Sequence, residues 1–201
     1  MGNDISAKWI SKTENNGLNN RNREVEYMNR IKRVVYKKYC VLLSKIAPEK
    51  YKDVYPRYLR ELGIRIPENY REGRKGFIHP TVQFDGNDYS LISIGKNTTM
   101  SSQIVVLTHD YSISKGLKLL NCNRSGRFLK PVTIGENCFI GLRSILLPGT
   151  EIGDNVIIGA GSVVKGKIPA NGIYAGNPAK FICSIEEWTQ SHIEKDDIVD
   201  G

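Results

Sequence analysis

His109 is the side chain best placed for chemistry at neutral pH. It follows the apolar run Ile104-Val105-Val106-Leu107 and Thr108, and it opens a long polar excursion. An imidazole ionises near pH ~6.5, so a neutral ring is available as a base. An alcohol becomes a useful nucleophile when a base removes its proton during attack. One histidine held at the mouth of a loop therefore suffices for transfer to a hydroxyl. Asp110 is adjacent, but neighbours on an extended chain project to opposite faces. A backbone carbonyl could orient the ring equally well. Position alone leaves His109 open between a catalytic and a structural role. His79, before Pro80, reads as a capping or packing residue, and His192 as a surface residue.

Other chemistries find little support. Cys40, Cys122, Cys138 and Cys183 lack metal-ligand spacing and read as free thiols of a reducing compartment. Three histidines are poorly spaced for a zinc site, so no metal is expected. No Ser or Cys shows a triad context. Gly159-Ala160-Gly161 lacks the GxxxxGK[ST] spacing of a phosphate loop and fits the corners of a repeat.

A six-residue period supplies the frame for His109. Ile134, Ile140, Leu146, Ile152, Ile158 and Val164 recur at every sixth place, and Gly follows four of them. Two places before each next aliphatic stand Cys138, Ser144, Thr150, Val156, Ser162 and Ile168, mostly small or β-branched. This period marks a parallel β-helix, in which each hexad gives one short strand and one corner. A weaker run precedes it through Val82, Ile94, Met100 and Val106, with Asp88 breaking the frame. The 28 residues from Val106 to Ile134 are not a multiple of six, so about 22 form an insertion.

The remaining chain falls into pieces around this coil. Residues 1–22 are polar and read as a disordered tail. Residues 23–76 read as a helical extension, with helices at Glu24–Ile46 and Pro48–Leu62. The first carries an apolar stripe of Tyr27, Ile31, Val34, Val35, Cys40, Val41, Leu42 and Ile46. Pro56 is a candidate kink in the second. Residues 64–76 read as a polar link. The coil spans 77–183 with its insertion at 108–131. Ser184 caps a short helix that begins the acidic segment 184–201.

Charge separates the two halves. Residues 1–75 carry 18 Lys+Arg against 9 Asp+Glu, a net of +9, while the rest carries 11 against 12. The basic helices present either a solvated face or a surface for anionic glycan, membrane or cofactor phosphates. No nucleic-acid motif accompanies them. No apolar run reaches the ~18 residues of a membrane span, and the N-terminus lacks a secretory h-region. A cytoplasmic protein is expected, with the inner face of the membrane as a further placement.

The hexads, the stretches FDGNDYSLISIGKNTTMSS and LTHDYSI, and the ending AGNPAK together carry a resemblance. Over about residues 77–185 the chain resembles the hexapeptide-repeat acyltransferases. It is most similar to the branch of maltose, galactoside and capsular-polysaccharide O-acetyltransferases. The resemblance implies a mainly β, left-handed parallel β-helix and a homotrimer with active sites between subunits. It implies acetyl-CoA as donor and a sugar or glycan as acceptor, with His109 as general base. It places cofactor contacts at Gly141, Leu142, Ala160, Lys165 and Lys180, and acceptor contacts at Asn87, Asp88 and Tyr111. The rival readings are N-acetylation of an amino sugar and a non-catalytic trimeric scaffold.

Overall fold

The computed structural model describes residues 34–85 and 88–199. The tail at 1–22, the first part of the expected N-terminal helix and Asn87 lie outside them. Residues 34–46 are helical (α1) and lead through Ala47 into α2 (Pro48–Glu61). Pro48 suits the first turn because its missing N–H has no intrahelical partner there. Gly63 ends the segment at φ 106°, a left-handed angle that glycine adopts without strain. The helix continues through Pro56, which is buried rather than a point of division.

The coil begins with β1 (Phe77–Ile78), β2 (Gln83–Phe84) and β3 (Ile92–Ile94), one strand on each of three faces. The second coil has β4 (Thr99–Met100) and β5 (Val105–Val106). Its third strand comes only after an insertion of β6 (His109–Asp110), α3 (Ile113–Leu119) and β7 (Phe128–Leu129). That strand is β8 (Val132–Ile134). The third coil is β9 (Phe139–Ile140), β10 (Ile145–Leu146) and β11 (Glu151–Ile152). The fourth is β12 (Ile157–Ile158), β13 (Val163–Val164) and β14 (Lys167–Ile168). β15 (Gly172–Ala175) starts a fifth, and β16 (Lys180–Ser184) folds back on it antiparallel, which closes that face. α4 (Ile185–Glu194) follows, with the Ser184 side chain capping the Glu187 N–H.

Parallel pairing stacks equivalent side chains. Ile78, Met100, Ile140, Ile158 and Tyr174 share one column. Phe84, Val106, Leu146 and Val164 form the second, and Ile94, Ile134, Ile152 and Ile168 the third. All are buried except the half-buried Phe84. The six-residue period therefore marks inward positions. It fails at its last step, where Val164 is followed by an inward residue after four positions. Ile168 thus belongs to a core column and not to a corner.

Corner chemistry explains the remaining pattern. Asn97, Asn137, Asn155 and Asn171 occupy successive copies of one corner with φ between 53 and 60°. Asn tolerates this left-handed geometry better than most residues. Their amides form part of a ladder, Asn137 donating to Asn155 at 2.8 Å and Asn155 to Asn171 at 2.9 Å. The buried hydroxyls of Ser144, Thr150 and Ser162 donate to corner carbonyls at 2.6 to 2.8 Å. Gly141 is fixed by proximity, since a Cβ there would lie 2.5 Å from the Ala160 nitrogen.

The helical extension packs on the open end of the first coil. Tyr51 donates its hydroxyl proton to the Ile78 carbonyl at 2.6 Å, and Tyr70 donates to the Thr98 carbonyl. Arg65 pairs its backbone with Ile92 and Ile94 on β3. Unpaired strand edges otherwise invite association. Two expectations need correction here. The segment 64–76 is not simply a polar link, because Ile64, Ile66 and Tyr70 are buried. On α1, Cys40 and Leu43 face inward while Val34, Val35, Leu42 and Ile46 are exposed. The core stripe is Tyr36, Cys40, Leu43 and Ala47, one residue out of phase with much of the expected one. Among the described residues, no helix is long and apolar enough to cross a membrane.

Candidate active site

Two excursions leave the coil at the same corner, between the second and third columns. The regular step there is six residues, from Leu146 to Ile152. In the first coil Phe84 to Ile94 takes ten residues, and in the second Val106 to Ile134 takes 28. Because β2 pairs with β5 in register, the two excursions begin side by side. Asp85 opens the first and His109 lies near the start of the second.

The Asp85 carboxylate organises the beginning of the longer excursion. Its Oδ2 accepts the Thr108 N–H at 3.0 Å, the Thr108 hydroxyl at 2.8 Å and the His109 N–H at 3.2 Å. The same oxygen contacts Nδ1 of the His109 ring. The Asp85 side chain is only 5% exposed and that of His109 24%, so the pair is sheltered yet the ring reaches the surface. A carboxylate at Nδ1 favours the tautomer with its proton there, which puts the basic lone pair on Nε2. The group that meets Nδ1 of His109 is thus a side chain from the preceding coil, Asp85, rather than the adjacent Asp110.

The insertion is tied at its base. β6 and β7 pair His109 with Leu129 and Asp110 with Phe128, and the Lys130 N–H donates to the Thr108 carbonyl at 2.9 Å. Tyr111 sets its ring edge against His109, with centroids 5.3 Å apart. Arg127, from the returning arm, donates to the Tyr111 hydroxyl at 2.6 Å and lies 5.6 Å from the centre of its ring. Asp110 turns away and accepts the Ser112 N–H at 2.7 Å. That bond holds its carboxyl below the usual range, with Lys165 and His109 adding to the effect.

The other residues singled out in the sequence are divided between two corners. Gly141, Leu142 and Ala160 stack at the corner between the first and second columns. Gly141 N–H donates to the Ile158 carbonyl at 2.8 Å, and Gly161 N–H to the Leu142 carbonyl at 2.7 Å. Leu142 and Ala160 are exposed there. Lys180 is exposed at the start of β16. Lys165 lies instead at the insertion corner, near Asp110. Within one chain the second column of strands separates His109 from Gly141 and Ala160. Asp88 is exposed and caps a short 3-10 turn, accepting from the Ser90 N–H and hydroxyl at 3.0 and 2.6 Å.

Asp85 and Arg127 were not singled out. A signal for Asp85 existed: Ile78 precedes Met100 by 22 residues, and Phe84 precedes Val106 by the same interval. That common offset aligns Asp85 with the start of the second excursion. Arg127 had no comparable signal, since its place depends on how the insertion returns. His79 bonds Thr81 at 2.8 Å and packs against Phe77, and His192 contacts Asp197, so neither joins the site. No group of three or more His, Cys, Asp or Glu among the described residues is placed to hold a metal.

Comparison with known proteins places this chain in a family. Residues 131–165 match the model described as the hexapeptide repeat of succinyl-transferase. A protein of Escherichia coli K12 described as the lipopolysaccharide biosynthesis O-acetyl transferase WbbJ is 32% identical over 64% of this chain and 76% of its own. Galactoside O-acetyltransferase of the same organism is 30% identical over 62% of this chain and 68% of its own. Protein CapG of Staphylococcus aureus is 37% identical over 69% of this chain and 76% of its own. The chain therefore belongs to the hexapeptide-repeat acetyltransferases, enzymes built on a left-handed parallel β-helix.

Proposed function

We propose that the protein moves an acetyl group from acetyl-CoA to a hydroxyl of a sugar or surface-polysaccharide unit. The observation that carries this reading is the Asp85 carboxylate on Nδ1 of His109. It supports Nε2 as the general base. In the reaction, Nε2 takes the proton of the acceptor hydroxyl while that oxygen attacks the thioester carbonyl. Backbone N–H groups at a coil corner stabilise the oxyanion. Collapse breaks the carbon–sulfur bond and releases the thiolate of CoA. His109 returns the proton to that sulfur. Electrons and protons balance with no covalent acetyl-enzyme.

The relatives support a glycan acceptor, since one is named for lipopolysaccharide biosynthesis and another for a galactoside. Tyr111, beside the ring of His109, is a candidate acceptor contact, and so are Asp88, in the neighbouring excursion, and Asn87, which precedes it in the sequence. Leu142 and Ala160, exposed beside the buried Gly141, offer a surface for the pantetheine arm, and Lys165 and Lys180 offer charge for phosphate. The separation of Gly141, Leu142 and Ala160 from His109 within one chain favours a homotrimer in which two copies complete each site. Surface character agrees. Beyond the first coil, where Gln83 points outward, the outward residues of the second column, Val105, Ile145 and Val163, are apolar, whereas Ser93, Thr133, Glu151 and Lys167 on the third are polar.

The test is a screen of sugar acceptors with acetyl-CoA, with mass spectrometry of the products. The expected product is an acetyl ester that mild alkali cleaves. An alkali-stable acetamide would establish N-acetylation of an amino sugar instead. A failure to release CoA with any acceptor, together with no thermal shift on adding acetyl-CoA, would favour the scaffold reading.

A further inference from the structure

Two apolar stripes run along α1. Tyr36, Cys40, Leu43 and Ala47 pack inward, with Tyr36 stacked on Tyr58 at 4.6 Å. One residue earlier in each turn stand Val35, Tyr39, Leu42 and Ile46, with the same 4-3-4 spacing. These four are exposed, Leu42 by 54% and Ile46 by 70%. Lys38 and Lys45, seven residues apart, follow the solvent edge of this second stripe, and Lys37 is exposed as well. The segment 34–47 holds three lysines and neither Asp nor Glu.

We propose that this face of α1 docks the protein on an anionic lipid surface. Charge decides the occupant. A second copy packed along the same seam would need acidic partners beside it to pair with Lys38 and Lys45, and the segment supplies none. A negatively charged bilayer supplies them everywhere. The apolar stripe enters the headgroup boundary, while the lysine stems lie along it with their ammonium groups in the phosphate layer. The wider charge distribution acts in the same direction, since residues 1–75 carry a net of +9 and the rest −1. The inference concerns α1 alone and stands apart from the acetyl-transfer reading, because docking requires neither acetyl-CoA nor an acceptor.

The experiment is co-sedimentation of the full chain with vesicles, either phosphatidylcholine alone or mixed with phosphatidylglycerol, at low and high salt. Binding is expected to the mixed vesicles only and to weaken with salt. Replacing Lys38 and Lys45 together by Gln should weaken it by about thirtyfold. Leu42→Ser with Ile46→Ser should weaken it by at least about tenfold. These side chains are exposed, and unchanged thermal melts would verify that the variants fold. Absence of binding, equal binding to both vesicle types, or binding unaffected by either set of substitutions would overturn the proposal. So would a loss of assembly mass in light scattering for Leu42→Ser/Ile46→Ser without vesicle binding by the parent, which would mark the face as a contact between copies.

Discussion

The two corners that flank the second column of strands have had different freedom. The corner holding Gly141 and Ala160 takes a constant step. There a Cβ on Gly141 would collide with the Ala160 backbone, and Gly141 and Gly161 are bonded to neighbouring coils. The corner holding Asp85 and His109 takes ten, 28, six and four residues in successive coils. Both keep the same columns in register. A parallel coil therefore tolerates large changes at one corner provided that the strands on either side still stack. The tight corner gives a rigid wall, and the variable one gives the place where polar side chains from two coils meet.

This contrast predicts that substitutions at the two corners separate activity from stability. The largest effect belongs to His109→Ala, which should slow acetyl transfer by roughly 10²–10⁴-fold, measured as thiol release with an identified acceptor. Its melting temperature should hardly change. On the wall the order reverses. Ile158→Ala, at a fully buried position, should cost about 3 kcal/mol in a denaturant titration, while the rate per folded molecule stays near the parent value. Asp85→Asn should reduce the rate on the order of 10²-fold, because it loses the charge that holds the ring and its tautomer. A large loss of stability with an unchanged rate per folded molecule would assign Asp85 to the scaffold instead.

The smallest predicted effect lies at the corner between the third and first columns and depends on pH. Burial pushes the Cys138 thiol up to about 11 from its ordinary value of 9.0. The unfolded chain therefore loses this proton first. Its contribution to stability is intact below pH 9 and is lost as pH rises toward 11. The buried hydroxyls of Tyr51, Tyr55 and Tyr70 are raised in the same direction. Melting temperature should fall through this window, and Cys138→Ala should make the fall shallower. An equally steep fall in that variant would remove Cys138 from the explanation.

Much of the wall was legible in the sequence because stacking requires the same type of residue at the same interval. Ile134 through Val164 show this directly, and so did the long break after Val106. The helix cap at Ser184 was legible for a local reason, since the cap and its Glu187 partner lie three residues apart. The site was legible only in half. Counting from Val82 by sixes reaches Asp88 and then Ile94, which directs attention to Asp88. In the structure Phe84 is the strand residue in register, and both Val82 and Phe84 are apolar at a spacing of two. That ambiguity hid Asp85. Periodicity likewise could not separate the two stripes of α1, because helical spacing fits both and only α2 decides which is covered.

The central claim is that Asp85 and His109, brought together from two excursions, act as one unit. A double-mutant cycle on acetyl-transfer rate tests it most directly. If Asp85 acts through His109, Asp85→Asn should slow the parent enzyme strongly but add almost nothing in the His109→Ala background. A full and independent loss from Asp85→Asn in that background would contradict the account.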